Sequence, residues 1–210
     1  MKNKLAKLIY YPNNFKILED GDHVILNGAK MWISNAPEAD IAVVWAKNEK
    51  GIVKGIIVER GMEGFTTPET HNKWSLRASC TGELVFDHVR VPKENILNVE
   101  GMKGPFSCLN NARLGISFGV LGAAEYCIEK SIEYSLNRKM FSQLLAEKQL
   151  LQMKLANMTT EYNLALLSCL HVANKVDKKE YTPDMISLIK RNSCQKSLDI
   201  VRTCRDILGG

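Results

Sequence analysis

The chain has 210 residues, of which 45% are hydrophobic and 24% charged, and its formal net charge at pH 7 is +5. This apolar content is enough for the core of one large domain or two small ones. No apolar run approaches the ~20 residues that a membrane-spanning helix needs, so the sequence predicts a globular protein without such a helix.

The positive charge is spread along the chain. Its densest cluster is Lys175, Lys178 and Lys179 beside Asp177 and Glu180, a mixture typical of a solvated loop. A basic excess suits an anionic small molecule or nucleic acid, and charge alone does not choose between them. Because the basic residues form no stripe with interleaved aromatic residues, the pattern disfavours a nucleic-acid binder.

The six cysteines are irregularly spaced and include no C-x-x-C pair. Most lie among apolar neighbours at helical spacing, which predicts free thiols in the core and a reducing compartment, with metal binding as the alternative. They are Cys80, Cys108, Cys127, Cys169, Cys194 and Cys204.

From about Gly21 to Pro92 the sequence has the pattern of strands. Residues 23–26 are followed by Asn27-Gly28, a strong tight-turn signal, so a hairpin is expected there. Two β-branched runs at 41–46 and 52–58 flank a polar loop that contains glycine, which predicts a second hairpin.

A last strand is predicted at 83–91, where apolar and polar residues alternate until Pro92 ends the strand. The N-terminal part is therefore predicted to be an antiparallel β-domain. After Pro92 the apolar period changes from two to 3.6, no further strand is expected, and the domain boundary is placed there.

Three long helices are predicted in the second part. One runs over about 108–137, with Leu114, Phe118, Leu121, Ile128 and Ile132 on its packed side, and another begins at Thr182-Pro183, a favourable helix start. The helix between them begins near residue 150 and carries one continuous apolar face. That face consists of Leu151, Leu155, Met158, Tyr162, Ala165, Cys169, Val172 and Val176.

Short connections between long helices imply antiparallel neighbours in a bundle. The predicted fold class is α+β, an antiparallel β-domain followed by an antiparallel helical bundle. The chain has no glycine-rich strand-to-helix turn, so a dinucleotide would not be held as in a Rossmann fold.

Four short segments could carry chemistry, and each has an ordinary structural explanation when taken alone. They are residues 30–35 (Lys-Met-Trp-Ile-Ser-Asn), 77–82 (Arg-Ala-Ser-Cys-Thr-Gly), 86–92 (Phe-Asp-His-Val-Arg-Val-Pro) and 110–113 (Asn-Asn-Ala-Arg). In this order they resemble the acyl-CoA dehydrogenase family, and residues 104–113 resemble its glutaryl-CoA dehydrogenases in particular. The resemblance covers roughly residues 20–210.

The resemblance implies a domain division. Residues 20–95 correspond to the family's middle β-domain and 96–210 to an incomplete C-terminal helical domain. Residues 1–19 are left unmatched, and the family's N-terminal helical domain and last helices are expected to be missing from the chain.

The resemblance also implies an FAD site. Trp32, Ile33 and Ser34 match the strand end that lies along the flavin, where the serine hydroxyl can bond near N5. Arg138 matches an arginine on the pyrophosphate and Gln149 a glutamine near the adenine. Without the resemblance, Arg138 reads as an ordinary loop charge. The segment that approaches FAD across a subunit interface matches Asp206, Ile207, Leu208, Gly209 and Gly210, whose glycines also suit a helix stop.

The segment matching the family's acyl-CoA channel contains asparagine and arginine donors that suit a pantetheine amide and an anionic tail. Its structural alternative is a helix N-terminus with polar caps. The residues are Phe106, Ser107, Cys108, Leu109, Asn110, Asn111, Ala112 and Arg113.

In the family a glutamate removes the α-proton while the β-hydride passes to the flavin. That glutamate is expected beyond Gly210, and Ala112 occupies the position where some relatives place it instead. Glu125, Glu129 and Glu161 have structural explanations as helix-surface or inter-helix residues. No catalytic residue and no metal ligand is therefore predicted, and the chain alone is expected to be inactive.

Further expectations follow from the resemblance alone. The full-length enzyme would convert glutaryl-CoA to crotonyl-CoA and CO2 in lysine and tryptophan degradation, pass electrons to electron-transfer flavoprotein, and form a homotetramer. It would lie in the mitochondrial matrix of a eukaryote and otherwise in the cytoplasm, although residues 1–11 do not resemble a targeting peptide. The alternative hypothesis is an inactive, truncated paralogue that binds FAD, CoA esters or a partner subunit.

Overall fold

The computed structural model describes residues 5–6 and 16–210. The chain divides into two units, the first ending at Ser107 and the second spanning Cys108–Gly210. The strands are β1 (Leu5–Ala6), β2 (Lys16–Asp20), β3 (His23–Ser34), β4 (Ile41–Lys47), β5 (Val53–Glu59), β6 (Phe65–Thr66), β7 (Thr81–Pro92), β8 (Ile96–Glu100), β9 (Lys139–Met140) and β10 (Gln143–Leu144). The helices are α1 (Lys103–Asn137), α2 (Gln149–Asp177) and α3 (Pro183–Leu208).

The first unit is built on one sheet with the strand order β6-β7-β3-β2-β4-β5-β8 and with β1 added to β4. The predicted hairpin of β4 and β5 is confirmed, with Lys47 opposite Val53. Most neighbours are antiparallel, but β1 and β2 both pair with β4 in parallel, so the sheet is mixed. The predicted α+β class is confirmed.

The predicted turn at Asn27-Gly28 is wrong, because both residues lie inside the continuous strand β3. The register with β7 shifts there, so that Asp87 and His88 both oppose Asn27. The Asn27 side chain accepts a hydrogen bond from the His88 amide at 2.8 Å, which satisfies a donor that the bulge leaves without a ladder partner. The hairpin turn lies earlier, at Gly21, whose φ is +57°.

The expectation that no strand follows Pro92 is also wrong. Strand β8 pairs with the edge of β5, and β9 and β10 form a small hairpin before α2. None of the residues of β8 is fully buried, so its apolar alternation is too weak to stand out from the helical pattern that follows.

The core of the first unit comes from alternate residues of its strands, as expected for strands that bury one face. Phe65 and Phe86 stack at its edge, with ring centroids 4.9 Å apart. The largest fully buried side chains in this core are Val24, Leu26, Ile33, Val44, Ile56, Val58, Leu84, Val89 and Val91.

The apolar face predicted for α2 is confirmed, since all eight of its residues pack into two clusters with α1 and α3. On α1 the prediction fails at Ile132, which is exposed. Helix α3 begins with Pro183 in its first turn and ends at Gly209, whose φ of +90° is the left-handed conformation of a glycine helix stop. None of the helices that the structure describes is both long and apolar enough to cross a membrane.

The six cysteines are free thiols. Cys169 and Cys204 are buried as predicted, but Cys108 is exposed, so it is not a core residue. Within residues 5–6 and 16–210, no group of three or more potential metal-ligating side chains is present.

Candidate functional site

A second irregularity in β3 presents an aromatic side chain to the surface. The pairing with β7 slips between Lys30 and Ile33, so that β3 contains one extra residue there. Lys30 and Ile33 are both buried, whereas Trp32 is 57% exposed and has a φ of +61°. A bulky side chain rarely adopts this conformation, and such strain is often found at functional sites.

Trp32 opens onto a cleft of about 470 Å³, here called the β3 cleft. Beyond the bulge, Asn35 has a φ of +66° and its amide donates to the carbonyl of Cys80 at 2.9 Å, which fixes the end of β3 against the segment before β7. The cleft is lined by Trp32, Ser34, His71, Asn72, Lys73, Trp74, Ser75, Leu76, Ser79 and Thr81.

The loop over residues 71–79 is ordered by one lysine. Lys73 Nζ donates to the carbonyls of Leu76 and Ser79, the former at 2.8 Å, and to Thr81 Oγ1 at 2.9 Å. Arg77 Nε donates to the Lys73 carbonyl at 2.9 Å. The Trp74 residue is 99% exposed.

Residues 71–76 line the cleft and were not predicted as part of a site. The available signal was a tryptophan among polar residues, which is unusual for a solvent-exposed loop. Of the three residues predicted at the flavin edge, Trp32 and Ser34 line the β3 cleft. The side chain of Ile33 points into the core instead.

The predicted acyl-CoA segment forms the start of α1. Phe106 and Ser107 end the first unit and are exposed, and the Ser107 hydroxyl donates to the Gly104 carbonyl at 2.8 Å. The remainder belongs to the second unit. There, Cys108 and Asn111 are exposed, Leu109, Ala112 and Arg113 are half-buried, and Asn110 is buried.

The other predicted cofactor residues lie in the second unit. Arg138 is the single residue between α1 and β9, and its carbonyl accepts from the Leu145 amide at 2.8 Å. Ile207 packs with Leu145 and Leu151 in one cluster, which brings the end of α3 beside the start of α2, where Gln149 lies. The structure thus gathers these predicted residues at one end of the helical unit.

The Asp206 carboxylate is already engaged. It forms an ion pair with Lys154, whose hydrogen bond and charge lower the pKa of Asp206. Leu208 is exposed, and the Gly210 amide donates back to the Arg205 carbonyl at 3.1 Å.

The structure adds an exposed aromatic residue that the sequence analysis did not select. Phe141 and Ser142 form the tip of the β9–β10 hairpin, with φ of +53° and +67°. The Phe141 ring is almost fully exposed, so this strained turn presents an aromatic surface three residues after Arg138.

Two of the carboxylates that were set aside as bases have structural partners. Glu161 pairs with Lys196 at 2.7 Å. Burial, together with a hydrogen bond to Glu125, raises the pKa of Tyr162 to about 12. Both glutamates therefore have a partner within the helical unit.

Comparison with protein families decides the identity of the fold. The model for the acyl-CoA dehydrogenase middle domain matches residues 12–89, and the model for the acyl-CoA dehydrogenase C-terminal domain matches residues 100–210. The chain belongs to the acyl-CoA dehydrogenase family. The middle-domain match starts at residue 12, inside the stretch 1–19 that the sequence analysis left unmatched.

Among relatives in this family, the 3-(aryl)acrylate reductase of Clostridium sporogenes is 33% identical, over 91% of this chain and 52% of the relative. The mitochondrial isovaleryl-CoA dehydrogenase of Arabidopsis thaliana is 39% identical, over 78% of this chain and 41% of the relative. The matched relatives thus include both bacterial and mitochondrial acyl-CoA dehydrogenase family members.

Solved structures of similar proteins agree with the fold. A glutaryl-CoA dehydrogenase from Mycobacterium smegmatis in complex with FADH2 has a TM-score of 0.90 and 45% identity, and the match covers 93% of this chain and 51% of that one. A structure of the electron transferring flavoprotein of Acidaminococcus fermentans has a TM-score of 0.87 and 30% identity, with 93% and 53% covered. The chain spans about half the length of these relatives.

Proposed function

We propose that this chain supplies the flavin-edge cleft and the acyl-CoA segment of an FAD-dependent acyl-CoA dehydrogenase. The observation that carries the proposal is the β3 bulge, which places the Trp32 ring and Ser34 in one cleft. An exposed aromatic face beside hydroxyl donors fits a planar ring that carries carbonyl and nitrogen acceptors. The donor set of this cleft therefore fits a flavin.

FAD, when bound, supplies a hydride acceptor. In this proposal Trp32 packs against the flavin and the Ser34 hydroxyl donates to it, while Ile33 contributes backbone only. In the second unit, Arg138 and Gln149 are proposed, from the family resemblance, as contacts to the nucleotide portion of an FAD molecule. Because Lys154 already engages Asp206, the backbone of Gly209 and Gly210 makes the close approach there, and Phe141 adds an aromatic contact.

Residues 106–113 bind the thioester in the same proposal. The exposed Phe106 and Asn111 offer an apolar contact and an amide, and Arg113 offers positive charge for the anionic part of CoA. We propose glutaryl-CoA as the substrate of the whole enzyme, oxidised and decarboxylated to crotonyl-CoA. The 45% identity to a solved glutaryl-CoA dehydrogenase structure supports this choice.

Several wider properties belong to the same proposal. Three properties are taken from the family: a domain division at 20–95 and 96–210, electron transfer to electron-transfer flavoprotein, and homotetramer formation. For a eukaryotic source we propose the mitochondrial matrix and lysine and tryptophan degradation, and for a bacterial source the cytoplasm.

A second candidate is a protein that binds FAD and thioesters without turning them over. It is favoured by Ala112, which stands where some relatives place the base, and by the structural engagement of Glu125 and Glu161. The two candidates differ in one measurement, which is reduction of bound flavin by glutaryl-CoA.

The cofactor proposal is tested by mixing the chain with FAD, desalting it and recording the flavin absorbance. We expect bound flavin, with an affinity about tenfold lower in Ser34→Ala because one hydrogen bond is lost. Ser187→Ala is the matched control, since its hydroxyl donates only to its own helix at the Pro183 carbonyl. A wild-type chain that retains no flavin would refute the proposal.

The substrate proposal is tested by adding glutaryl-CoA, isovaleryl-CoA or an arylacrylate to the flavin-loaded chain. We expect glutaryl-CoA to perturb the flavin absorbance at the lowest concentration. Bleaching is measured on the whole enzyme, where reduction of the flavin by glutaryl-CoA would favour the enzyme and a perturbation without bleaching would favour the binding protein. An equal response to all three ligands would contradict glutaryl-CoA specificity.

A further inference from the structure

Lys30 is the one charged residue among the buried residues that the structure describes, with 4% of its surface exposed. Burial lowers the pKa of Lys30 to about 8. Placing an ammonium group in a sheet core is unfavourable unless its hydrogen bonds are satisfied. Its Nζ donates to the Trp45 carbonyl at 3.2 Å. This buried bond therefore calls for a structural or functional explanation.

The bond links two strands that are not neighbours in the sheet. Strand β2 lies between β3 and β4, and the first residue of its described pairing with β3 is Lys16, opposite Asn27. Lys30 lies three residues beyond that point and immediately before the bulge that exposes Trp32. The lysine thus ties β4 to the position at which β3 leaves its regular ladder.

Trp45 extends the link towards the acyl-CoA segment. A Cβ atom added to Gly104 would lie 2.5 Å from Trp45 Cζ3, so only glycine lets the start of α1 lie against this ring. Gly104 lies two residues before Phe106, and Lys30, Trp45 and Gly104 all belong to the first unit. One buried hydrogen bond and one ring contact therefore join the Trp32 bulge to the start of α1.

We propose that Lys30 is a positioning residue that, through Trp45, holds the flavin-edge bulge and the first-unit part of the acyl-CoA segment, Phe106 and Ser107, in a fixed mutual geometry. The inference rests on the proposed function and adds a residue to it. An apolar residue at this position would keep the fold but leave the two ligand-contacting segments independently mobile. A thioester bound at residues 106–113 would then no longer perturb the flavin in the way that it does in the wild type.

The test compares Lys30→Met with Lys47→Met, a control that removes a half-buried lysine from the end of β4. The first measurement needs no cofactor. The Phe106 amide donates to the Met102 carbonyl at 3.0 Å, so its hydrogen exchange reports the first turn of α1. Loss of a charged hydrogen bond is worth a factor of about ten or more, so we expect about tenfold faster exchange in Lys30→Met and no change in the control.

The second measurement is the change in flavin absorbance on adding glutaryl-CoA to the FAD-loaded chain. We expect this change to be lost in Lys30→Met and retained in Lys47→Met. Unchanged Phe106 exchange overturns the proposal, and so does faster exchange with an unaltered flavin response. A wild-type chain that binds no FAD overturns the proposed function, and the positioning role with it, while the exchange measurement still tests the link from Lys30 to α1.

A folding defect in Lys30→Met does not prevent the test. Lys30→Gln keeps an N–H donor on a shorter side chain that falls short of the Trp45 carbonyl, so the same faster exchange at Phe106 is expected. The double variant Lys30→Met/Gly104→Ala adds a coupling test. If Lys30 acts through Trp45, the exchange rate of Phe106 in the double variant rises by less than the product of the fold-increases in the two single variants. A rise equal to that product contradicts the link.

Discussion

The strained backbone of Trp32 makes a sharp prediction about stability. At ordinary strand positions glycine is less stable than alanine by about 0.5–1 kcal/mol, because glycine loses more conformational freedom on folding. At Trp32 the φ of +61° costs a residue with a Cβ about 1–2 kcal/mol, and glycine avoids that cost. Trp32→Gly should therefore be more stable than Trp32→Ala by about 0.5–1 kcal/mol, because both variants lose the same ring.

Urea unfolding followed by tryptophan fluorescence is a suitable assay, because the remaining tryptophans, Trp45 and Trp74, both lie in the first unit. The control is the same pair of substitutions at Ile25, which sits in the regular ladder opposite Arg90. There, alanine should be the more stable variant by about 0.5–1 kcal/mol. If alanine is also the more stable residue at position 32, the bulge does not hold this backbone in the left-handed region.

Two further predictions follow from the core contacts. The Tyr162 pKa of about 12 lies above the value of about 10 for an unfolded tyrosine, so the neutral form contributes stability that is complete below pH ~10 and declines from there towards pH ~12. In an alkaline absorbance titration, the tyrosine that ionises at the highest pH should be missing from Tyr162→Phe. A titration curve that is the same in the wild type and the variant would mean that the raised pKa belongs to another tyrosine. Separately, Gly61 and Gly64 both have positive φ, but only a Cβ on Gly64 would overlap the carbonyl oxygen of Asp87. Thermal unfolding should show Gly64→Ala less stable than Gly61→Ala by about 1–3 kcal/mol, and equal losses would mean that the Asp87 carbonyl moves aside at little cost.

The sequence predicted best where a pattern repeats. The apolar face of α2 repeats over eight positions, and every one of them packs as expected. The hairpin of β4 and β5 was also predictable, because two β-branched runs flank a short polar loop. Over such lengths, burial of one face dominates the local preferences of single residues.

The predictions failed where a short signal competed with long-range pairing. Asn27-Gly28 is a strong turn signal in isolation, yet both residues pair across β3 and β7, and the Asn27 side chain serves the bulge opposite it. Nothing local distinguishes an asparagine that closes a turn from one that bonds a strand 61 residues away. Strand β8 was missed because its pairing with β5 is visible only in three dimensions.

The same limit applies to the candidate site. The family resemblance placed Trp32 and Ser34 together at the flavin edge. It did not reveal the positive φ of Trp32, because that conformation is imposed by a register slip against β7. It also did not reveal that Lys73 orders the loop on the other side of the cleft through carbonyls of that loop and the Thr81 hydroxyl at the start of β7.

The β3 cleft therefore depends on residues that need not touch any ligand. Two buried residues, Lys30 and Ile33, fix the ends of the bulge, so the extra residue between them is driven to the surface with its ring exposed. If both ends were free, the strand could slip by one residue and return Trp32 to ordinary extended backbone. The strain at Trp32 persists because such a slip would expose Ile33 to water and break the bond from Lys30 to Trp45. The register of β3 against β7 thus accounts both for the exposed ring of Trp32 and for the buried side chain of Lys30.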